Sequence, residues 1–173
     1  MPKTPEMIND ARAYINGSAD FYPTTELELP EIESLTADVE GAGLSGKIEA
    51  PVEGQIDSME AKITMRVPTA QGMTLIAGRP ITLDVYADIQ RFDAGANAYS
   101  HSQMRSAMRG RIKSVKPGSL KRGETTDSEF TIEVHYLKIE YDGKTTVEID
   151  KFGYKCVIDG VDLLREVRAN IGM

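Results

Sequence analysis

Apolar and polar residues alternate along much of the chain with a period of two. In residues 59–67 every odd position is apolar and every even position is polar, and similar alternation recurs in residues 81–90, 104–113 and 130–136. A period of two is typical of a β-strand that buries one face. Because polar positions interrupt the apolar ones, the pattern favours an antiparallel sheet over a parallel one. The sequence therefore predicts a mainly β fold, with weaker strands around Tyr14 and around Leu27.

The apolar phase shifts within the last long strand. Phe130, Ile132, Val134 and Tyr136 occupy even positions, whereas Leu137, Ile139 and Tyr141 occupy odd ones. This shift predicts a β-bulge near residues 136–137. Asp142-Gly143 marks the following turn. A two-residue loop would set the apolar residues after the turn against a polar face, so we expect a three-residue loop with Gly143 in the left-handed region.

One convincing helix and one long arm complete the expected fold. Asp159 is a candidate cap, and Val161, Leu164, Val167 and Ile171 define a helical face that ends near Gly172. Residues 69–78 form a weaker candidate helix. Residues 35–57 are rich in glycine and lack clear periodicity, which is typical of a long arm or loop. We expect residues 1–173 to form a single domain of the antiparallel sandwich or barrel type, with one flanking C-terminal helix.

Composition excludes several classes of chemistry. No apolar run is long enough to span a bilayer, so we expect that the protein does not insert into a membrane. We expect it to assemble in the cytoplasm. Cys156 is the only cysteine, and His101 and His135 are the only histidines, which argues against disulfides and against common zinc or iron sites. We therefore expect no catalytic residues, no metal and no cofactor.

The charge is unevenly distributed. The net charge of −7 argues against a nucleic-acid-binding protein. Residues 1–60 hold 13 acidic and 3 basic side chains, whereas residues 79–123 hold 9 basic and 3 acidic ones. Such a chain can neutralise itself by folding its halves together, which is the favoured interpretation, or it can present complementary faces to copies of itself.

Three motifs have plain structural interpretations. Gly41-Ala-Gly43-Leu-Ser-Gly46 matches a dinucleotide-binding pattern, but Pro51 follows before a helix could form, so a turn in the arm is favoured. The basic residues of 103–115 lack interleaved aromatic rings, and cross-strand pairing with residues such as Glu133 explains them better than nucleic-acid binding. His135 lacks a nearby nucleophile, and Cys156 is expected in the core.

The C-terminal third carries a resemblance to a known family. The motifs, in order, are Met108-Arg-Gly-Arg111, Pro117-Gly118, Gly123-Glu-Thr-Thr126, His135-Tyr-Leu-Lys138, Tyr141-Asp-Gly143, Val147-Glu-Ile-Asp150, Ile158-Asp-Gly-Val-Asp162 and Asn170-Ile-Gly172. Tyr14-Ile-Asn-Gly17, Leu29-Pro30 and the glycine motif at 41–46 fit more loosely. The series resembles the major tail tube proteins of contractile-tailed bacteriophages and of related tail-like bacteriocins. Residues 68–103 depart from the family pattern.

The resemblance implies a virion structural protein that forms stacked rings of six subunits, with the inner sheets joined into one continuous barrel. Its implied partners are further copies of itself, the tail sheath protein, and the baseplate and tail terminator proteins, while DNA transits the lumen without specific binding. Within this framework we expect Glu133 and Glu140 to face the lumen. Gly41, Gly43, Gly46, Lys116, Lys121 and Arg122 are expected to contribute to ring stacking.

Two alternatives stay open at this point. A tube subunit of a headless bacteriocin or of a type VI-like injection system would share the fold. A small-ligand-binding β-barrel is a more remote alternative, since it needs a wide apolar pocket and only 6% of the residues are aromatic.

Overall fold

The computed structural model describes residues 4–17, 24–41, 45–67, 73 and 79–173. These residues form antiparallel strands and one short helix, which confirms the mainly β fold. The elements are β1 (Thr4–Ile15), β2 (Thr24–Glu28), β3 (Ser34–Val39), β4 (Ile48–Ile56), β5 (Met59–Met65), β6 (Ile81–Asp93), β7 (Ala98–Lys116), β8 (Ser128–Tyr141), β9 (Lys144–Asp150), β10 (Lys155–Ile158), β11 (Val161–Asp162) and α1 (Arg165–Asn170).

Strand β8 is the centre of a nine-stranded sheet. Along one edge it pairs with β7, and along the other it pairs first with β5 and then with β9. Strands β6 and β1 continue the sheet beyond β7, and β2 continues it beyond β5. Strands β1 and β2 do not pair with each other. The barrel that we expected is therefore not closed within the described part of one chain.

The core lies on one face of this sheet. In β5 the odd residues, such as Met59 and Ile63, are fully buried and the even residues are half-buried, as the alternation predicts. They pack with Phe130 and Ile132 of β8 and with Leu83 of β6 in one apolar cluster. Cys156 is buried within the same cluster, which confirms its expected place in the core.

A β-bulge interrupts β8 close to the predicted position. Arg109 pairs with Tyr136 and Gly110 pairs with Val134, so His135 has no partner residue on β7. The extra residue reverses the phase of the strand and keeps the apolar residues before and after it on the core face. The bulge predicted near residues 136–137 is confirmed, one residue earlier in the chain.

The predicted three-residue loop after β8 is wrong. Tyr141 pairs with Lys144, which leaves a two-residue turn in which Asp142 and Gly143 have φ values of 48° and 80°. Two consecutive left-handed residues are typical of a type I′ hairpin turn. A two-residue loop alone would set the apolar residues of β9 against the polar face of β8. An extra residue inside β9 corrects this register, since Thr146 lies between the pairs Ile139–Val147 and Glu140–Thr145.

The C-terminal helix is shorter than predicted. Asp159 and Gly160 have φ values of 47° and 82° and form the turn of a hairpin, in which Val161 pairs with Ile158. Asp159 therefore caps no helix. Helix α1 begins at Arg165, after the buried Leu164, and Gly172 follows it with a φ of 79°, as expected of a residue that ends a helix.

The arm expected at residues 35–57 is a β-hairpin. Strands β3 and β4 pair with each other in a separate two-stranded sheet. Most of their side chains are exposed on both faces, which explains why the segment shows no alternation. The base of the hairpin is attached to the domain, since the Gln55 side-chain amide donates to the Tyr154 hydroxyl at 2.9 Å. The helix expected at 69–78 lies outside the described residues except for Met73, which packs against the core.

Candidate assembly surfaces

The sheet presents a polar face on the side opposite the core. At its centre Arg105 of β7 donates to Asp84 of β6 at 3.0 Å and lies 3.5 Å from Glu140 of β8. Lys138 lies 2.6 Å from the other oxygen of Glu140. This row of alternating charges crosses three strands. We call it the charged row, defined by Asp84, Arg105, Lys138 and Glu140.

Aromatic rings hold the arginines of the same face. The Arg105 guanidinium lies 5.4 Å from the centre of the Tyr86 ring, and that of Arg109 lies 4.7 Å from the Tyr136 ring. Tyr14 of β1 packs edge-on against Tyr86, with ring centres 5.8 Å apart. Cation–π contacts of this kind fix the direction of a long side chain and are favourable even at partly exposed sites.

The paired groups influence each other's protonation. The hydrogen bond from Lys138 lowers the pKa of Glu140, and partial burial opposes the shift. The hydrogen bond to Asp84 likewise raises the pKa of Arg105. The charged row thus favours its ionised form, and its positive charges are largely compensated by neighbouring carboxylates.

The basic stripe of β7 pairs in part across strands. Besides Arg105, Lys113 donates to Glu60 and Lys116 donates to Glu129 at 2.8 Å. Cross-strand pairs of opposite charge stabilise a sheet modestly when they are exposed. These three cations have carboxylate partners, whereas Arg109 lies over the Tyr136 ring and Arg111 has no ion-pair partner among the described residues. The pairing predicted for the stripe is therefore found for part of it.

Glu133 and Glu140 lie on this polar face, on either side of the bulge. Glu133 accepts a hydrogen bond from Ser58 at 2.8 Å and lies 3.9 Å from Lys113. Glu140 is the more enclosed of the two carboxylates, with 15% of its side chain exposed against 39% for Glu133. Their expected role in lining a lumen stays a prediction.

One end of the sheet extends beyond the core. The side chains of β1 from Thr4 to Arg12 are exposed, and those of β6 from Tyr86 to Asp93 are only half-buried. Strand β1 is also the last strand of the sheet on this side, so its outer edge has no strand partner within the described part of the chain. A long exposed edge of this kind is a template for pairing with another chain.

The loop between β7 and β8 carries the three basic residues expected in ring stacking. Lys116 pairs with Glu129, and Lys121 lies 3.2 Å from Glu124. Arg122 is exposed and has no ion-pair partner among the residues that the structure describes. The base of the loop is held firmly, because the backbone amide of Thr126 donates to the Arg66 carbonyl at 2.8 Å.

Gly41 and Gly46, two of the three glycines expected in ring stacking, lie between β3 and β4 at the end of that hairpin. Gly41 and Gly46 lie in open space, with no atom near the position that a Cβ would occupy. Gly43 lies outside the described residues. The structure therefore separates the glycine tip and the basic loop into two different candidate contacts.

Both histidines have structural partners. His135 stacks against Phe152 with ring centres 5.0 Å apart, and its burial lowers its pKa. His101 Nδ1 lies within hydrogen-bond distance of Asp88, at 2.7 Å, a contact that depends on strand register and could not be predicted from the sequence alone. Within the described ranges, no three of the metal-binding residue types His, Cys, Asp and Glu cluster around a common point. None of the helices there is long and apolar enough to cross a bilayer.

Charges that pair within the sheet and an outer edge of β1 without a strand partner in the described part of the chain are typical of a β structural protein that contacts other copies of itself. The chain belongs to the family described as phage tail tube protein FII, whose family model matches residues 5–172. It is 29% identical to the tail tube protein of Escherichia phage P2 over 184 aligned positions, covering 100% of this chain and 99% of that protein. It is also 25% identical to the major tail tube protein of Serratia phage KSP20, covering 92% and 91% of the two chains.

The family membership confirms the resemblance seen in the sequence. The chain is a structural subunit of a phage tail tube and not an enzyme. As a tail tube protein it is a virion component, which assembles with copies of itself and with other tail components.

Proposed function

We propose that the chain forms rings of six subunits that stack into the inner tube of a contractile tail and serve as the conduit for DNA delivery. In this proposal the sheath surrounds the tube, and the baseplate and tail terminator proteins contact its two ends. Assembly takes place in the host cytoplasm. The relatives support the tube itself, and the number six and the contractile sheath rest on the resemblance of the sequence motifs.

The observation that carries the proposal is the extension of the sheet beyond the core. A strand that is exposed on both faces and unpaired along one edge is poorly stabilised in water and tends to pair with another chain. A second copy that pairs with the outer edge of β1 would continue the sheet from one subunit to the next. Repeated around a ring, this pairing gives a continuous barrel that one chain cannot close alone.

The polar face of the sheet is the surface that we assign to the lumen, with Glu133 and Glu140 directed into it. In this lining Arg105, Lys113 and Lys138 are already paired with carboxylates, which leaves Arg109 and Arg111 as its exposed cations without a carboxylate partner in the described part of the chain. Binding to phosphates depends on such charges, because it is driven by the release of counterions. The charged row therefore suits a channel through which DNA slides without specific binding.

We assign the stacking of rings to the hairpin at residues 35–57 and to the loop with Lys116, Lys121 and Arg122. The described strands of the hairpin form a sheet of their own and the loop connects β7 to β8, so the two segments provide different surfaces. A tube that grows head to tail needs two different complementary surfaces on each subunit, because one self-matching patch closes a dimer and stops growth.

Negative-stain electron microscopy of the purified protein tests the proposal. We expect rings or hollow tubes, and light scattering should give a ring mass of about 114 kDa, which corresponds to six subunits of 19.0 kDa. A protein that stays monomeric across a wide concentration range contradicts the proposal. Rings with another subunit number contradict the hexamer alone.

A further inference from the structure

An apolar pocket opens where β2 separates from the extended sheet. Its volume is about 210 Å³, and it is lined mainly by Ile8, Ala11, Leu27, Leu29, Ala87 and Met104. Ile8 and Leu29 are 54% and 37% exposed. The pocket forms because the core face of β1, β6 and β7 continues past the last residue of β2, where the opposing layer ends. Apolar surface left open in this way gains free energy when another group covers it.

Carboxylates lie beside this pocket. A second groove shares Leu29 with the pocket and is lined by Glu28, Glu31 and Glu60. Glu28 pairs with Lys62 at 3.0 Å. Glu31 is exposed and has no ion-pair partner within the ranges that the structure covers. Glu28 and Glu60 belong to the polar face, where they pair with Lys62 and Lys113, so the carboxylate that remains free among the described residues of the groove beside the apolar pocket is that of Glu31. The matching ligand is an apolar side chain next to a cation.

The loop between β7 and β8 carries such a pair of residues at its tip. Leu120 is 91% exposed, the largest exposed fraction among the apolar side chains that the structure describes. The next two residues are Lys121 and Arg122. The loop is held at its base by the amide of Ser119, which donates to the Thr126 carbonyl at 3.1 Å, so the tip is presented at little entropic cost.

The loop and the pocket are separate surfaces of one chain. The loop is anchored to Arg66, immediately after the last residue of β5. The pocket contains Leu27, which pairs with Ile63 in the middle of β5. Within one chain Leu120 is exposed and the pocket is open, so a contact between them joins different copies, and because the two surfaces differ it joins them head to tail.

We propose that the tip of this loop docks into the apolar pocket of the next copy, with Leu120 filling the pocket and Arg122 pairing with Glu31. This inference rests on the proposed tube and assigns one of its axial contacts to named residues. In this contact the acidic first sixty residues contribute Glu31 beside the pocket, and the basic loop contributes Leu120 and Arg122 at its tip.

The first test replaces Leu120 in the full chain. Leu120→Asp should raise the critical concentration for tube assembly at least about tenfold, because a buried leucine is replaced by a charge beside carboxylates. Leu120→Met keeps an apolar side chain of similar volume and should assemble normally. Since Leu120 is exposed in the single chain, both variants should melt at the temperature of the unmodified protein.

The second test exchanges the charges. Arg122→Glu and Glu31→Arg should each weaken assembly, and the double variant should recover it, because the pair is restored with reversed sign. In a third variant, cysteines at Leu120 and Leu29 should form disulfide-linked ladders of subunits on oxidation, while the buried Cys156 does not compete.

The outcomes separate this inference from the proposed function. If the unmodified protein forms no tubes, both are wrong. If it forms tubes, and Leu120→Asp assembles as well as Leu120→Met, the docking contact alone is wrong. Failure of the double charge variant to recover, together with cysteine variants that form tubes without ladders, leads to the same conclusion.

Discussion

Glu133 and Glu140 lie on one face of β8 although their positions are seven apart. In a regular strand an odd separation puts two side chains on opposite faces. The unpaired His135 adds one residue to β8 and returns Glu140 to the face of Glu133. The bulge thus keeps the polar face continuous while the apolar residues of both halves stay in the core.

Gly110 should be essential for the geometry opposite this bulge. A Cβ at this position would lie 2.3 Å from the Glu133 carbonyl oxygen and 2.7 Å from the Ile132 side chain. Gly110→Ala should therefore lower the free energy of unfolding by about 1–3 kcal/mol, because the clash involves backbone atoms that cannot turn away. Urea denaturation of the subunit measures the change.

Gly46→Ala is the matched control, since a Cβ there meets open space. We expect its free energy of unfolding to stay within about 0.5 kcal/mol of the unmodified value. Equal stability of the two variants would show that β7 and β8 can separate locally at the bulge.

Asp162 should stabilise the C-terminal segment through Arg168, which also donates to the Tyr154 carbonyl at 2.9 Å. The hydrogen bond from Arg168 lowers the pKa of Asp162. A carboxyl whose pKa is lowered by folding stabilises the protein above its unfolded pKa, and this stabilisation is lost as the pH falls through the folded value.

Asp162→Asn should therefore lower the melting temperature at pH 7, and the difference from the unmodified protein should begin to shrink below about pH 4 and disappear as the pH falls through the lowered pKa of Asp162. Melting curves across that range measure both. Asp159→Asn is the control, because the pair of Asp159 with Lys144 is largely exposed and should contribute little. A difference that persists undiminished in acid would mean that Asp162 acts through packing and not through its charge.

Lys138, and to a smaller extent Arg105, should hold the carboxylate of Glu140 in its ionised form. Arg105→Gln removes the weaker of these two positive neighbours, so the pKa of Glu140 should rise slightly toward its ordinary value while the hydrogen bond from Lys138 keeps most of the shift. NMR titration of the glutamate carboxyl carbons measures this change. Arg111→Gln on the same strand should leave Glu140 unchanged, and an equal shift in both variants would point to a general effect of net charge.

Removal of the hairpin tip should separate folding from assembly. Thr36 pairs with Pro51, so deletion of residues 36–50 leaves chain ends that can be joined. We expect the free energy of unfolding to fall by less than about 1 kcal/mol, because the removed side chains are mostly exposed. Electron microscopy should show no stacked tubes. A deletion variant that fails to fold would place the hairpin within the cooperative unit of the domain.

The sequence was most informative where each strand has one buried face. The alternation in β5 and the phase shift in β8 follow directly from which side chains meet the core, so both could be predicted. The two-residue turn at Asp142-Gly143 was missed because a second bulge at Thr146, not the loop length, restores the register. The start of the C-terminal helix was missed because Val161 pairs with Ile158, and tertiary pairing overrides local helical periodicity.

The surfaces were harder to predict than the strands. The charged row joins residues from three strands, and their partnership depends on register as well as on charge. The apolar pocket is harder still, because it exists only where β2 ends while the opposing strands continue. Leu120 stood in the sequence as one leucine among cations, and only its exposure distinguishes it from a core residue.

The shared edge of β8 also determines when a subunit becomes complete. Residues 128–134 of this strand need β5, from the first half of the chain, and residues 136–141 need β9, close to the C-terminal end. A nascent chain that stops at Tyr141 would leave the second half of that edge open to other chains. Strand β9 must therefore be synthesised before the central strand is paired along both edges, and a chain that lacks β9 exposes an unpaired edge to other copies.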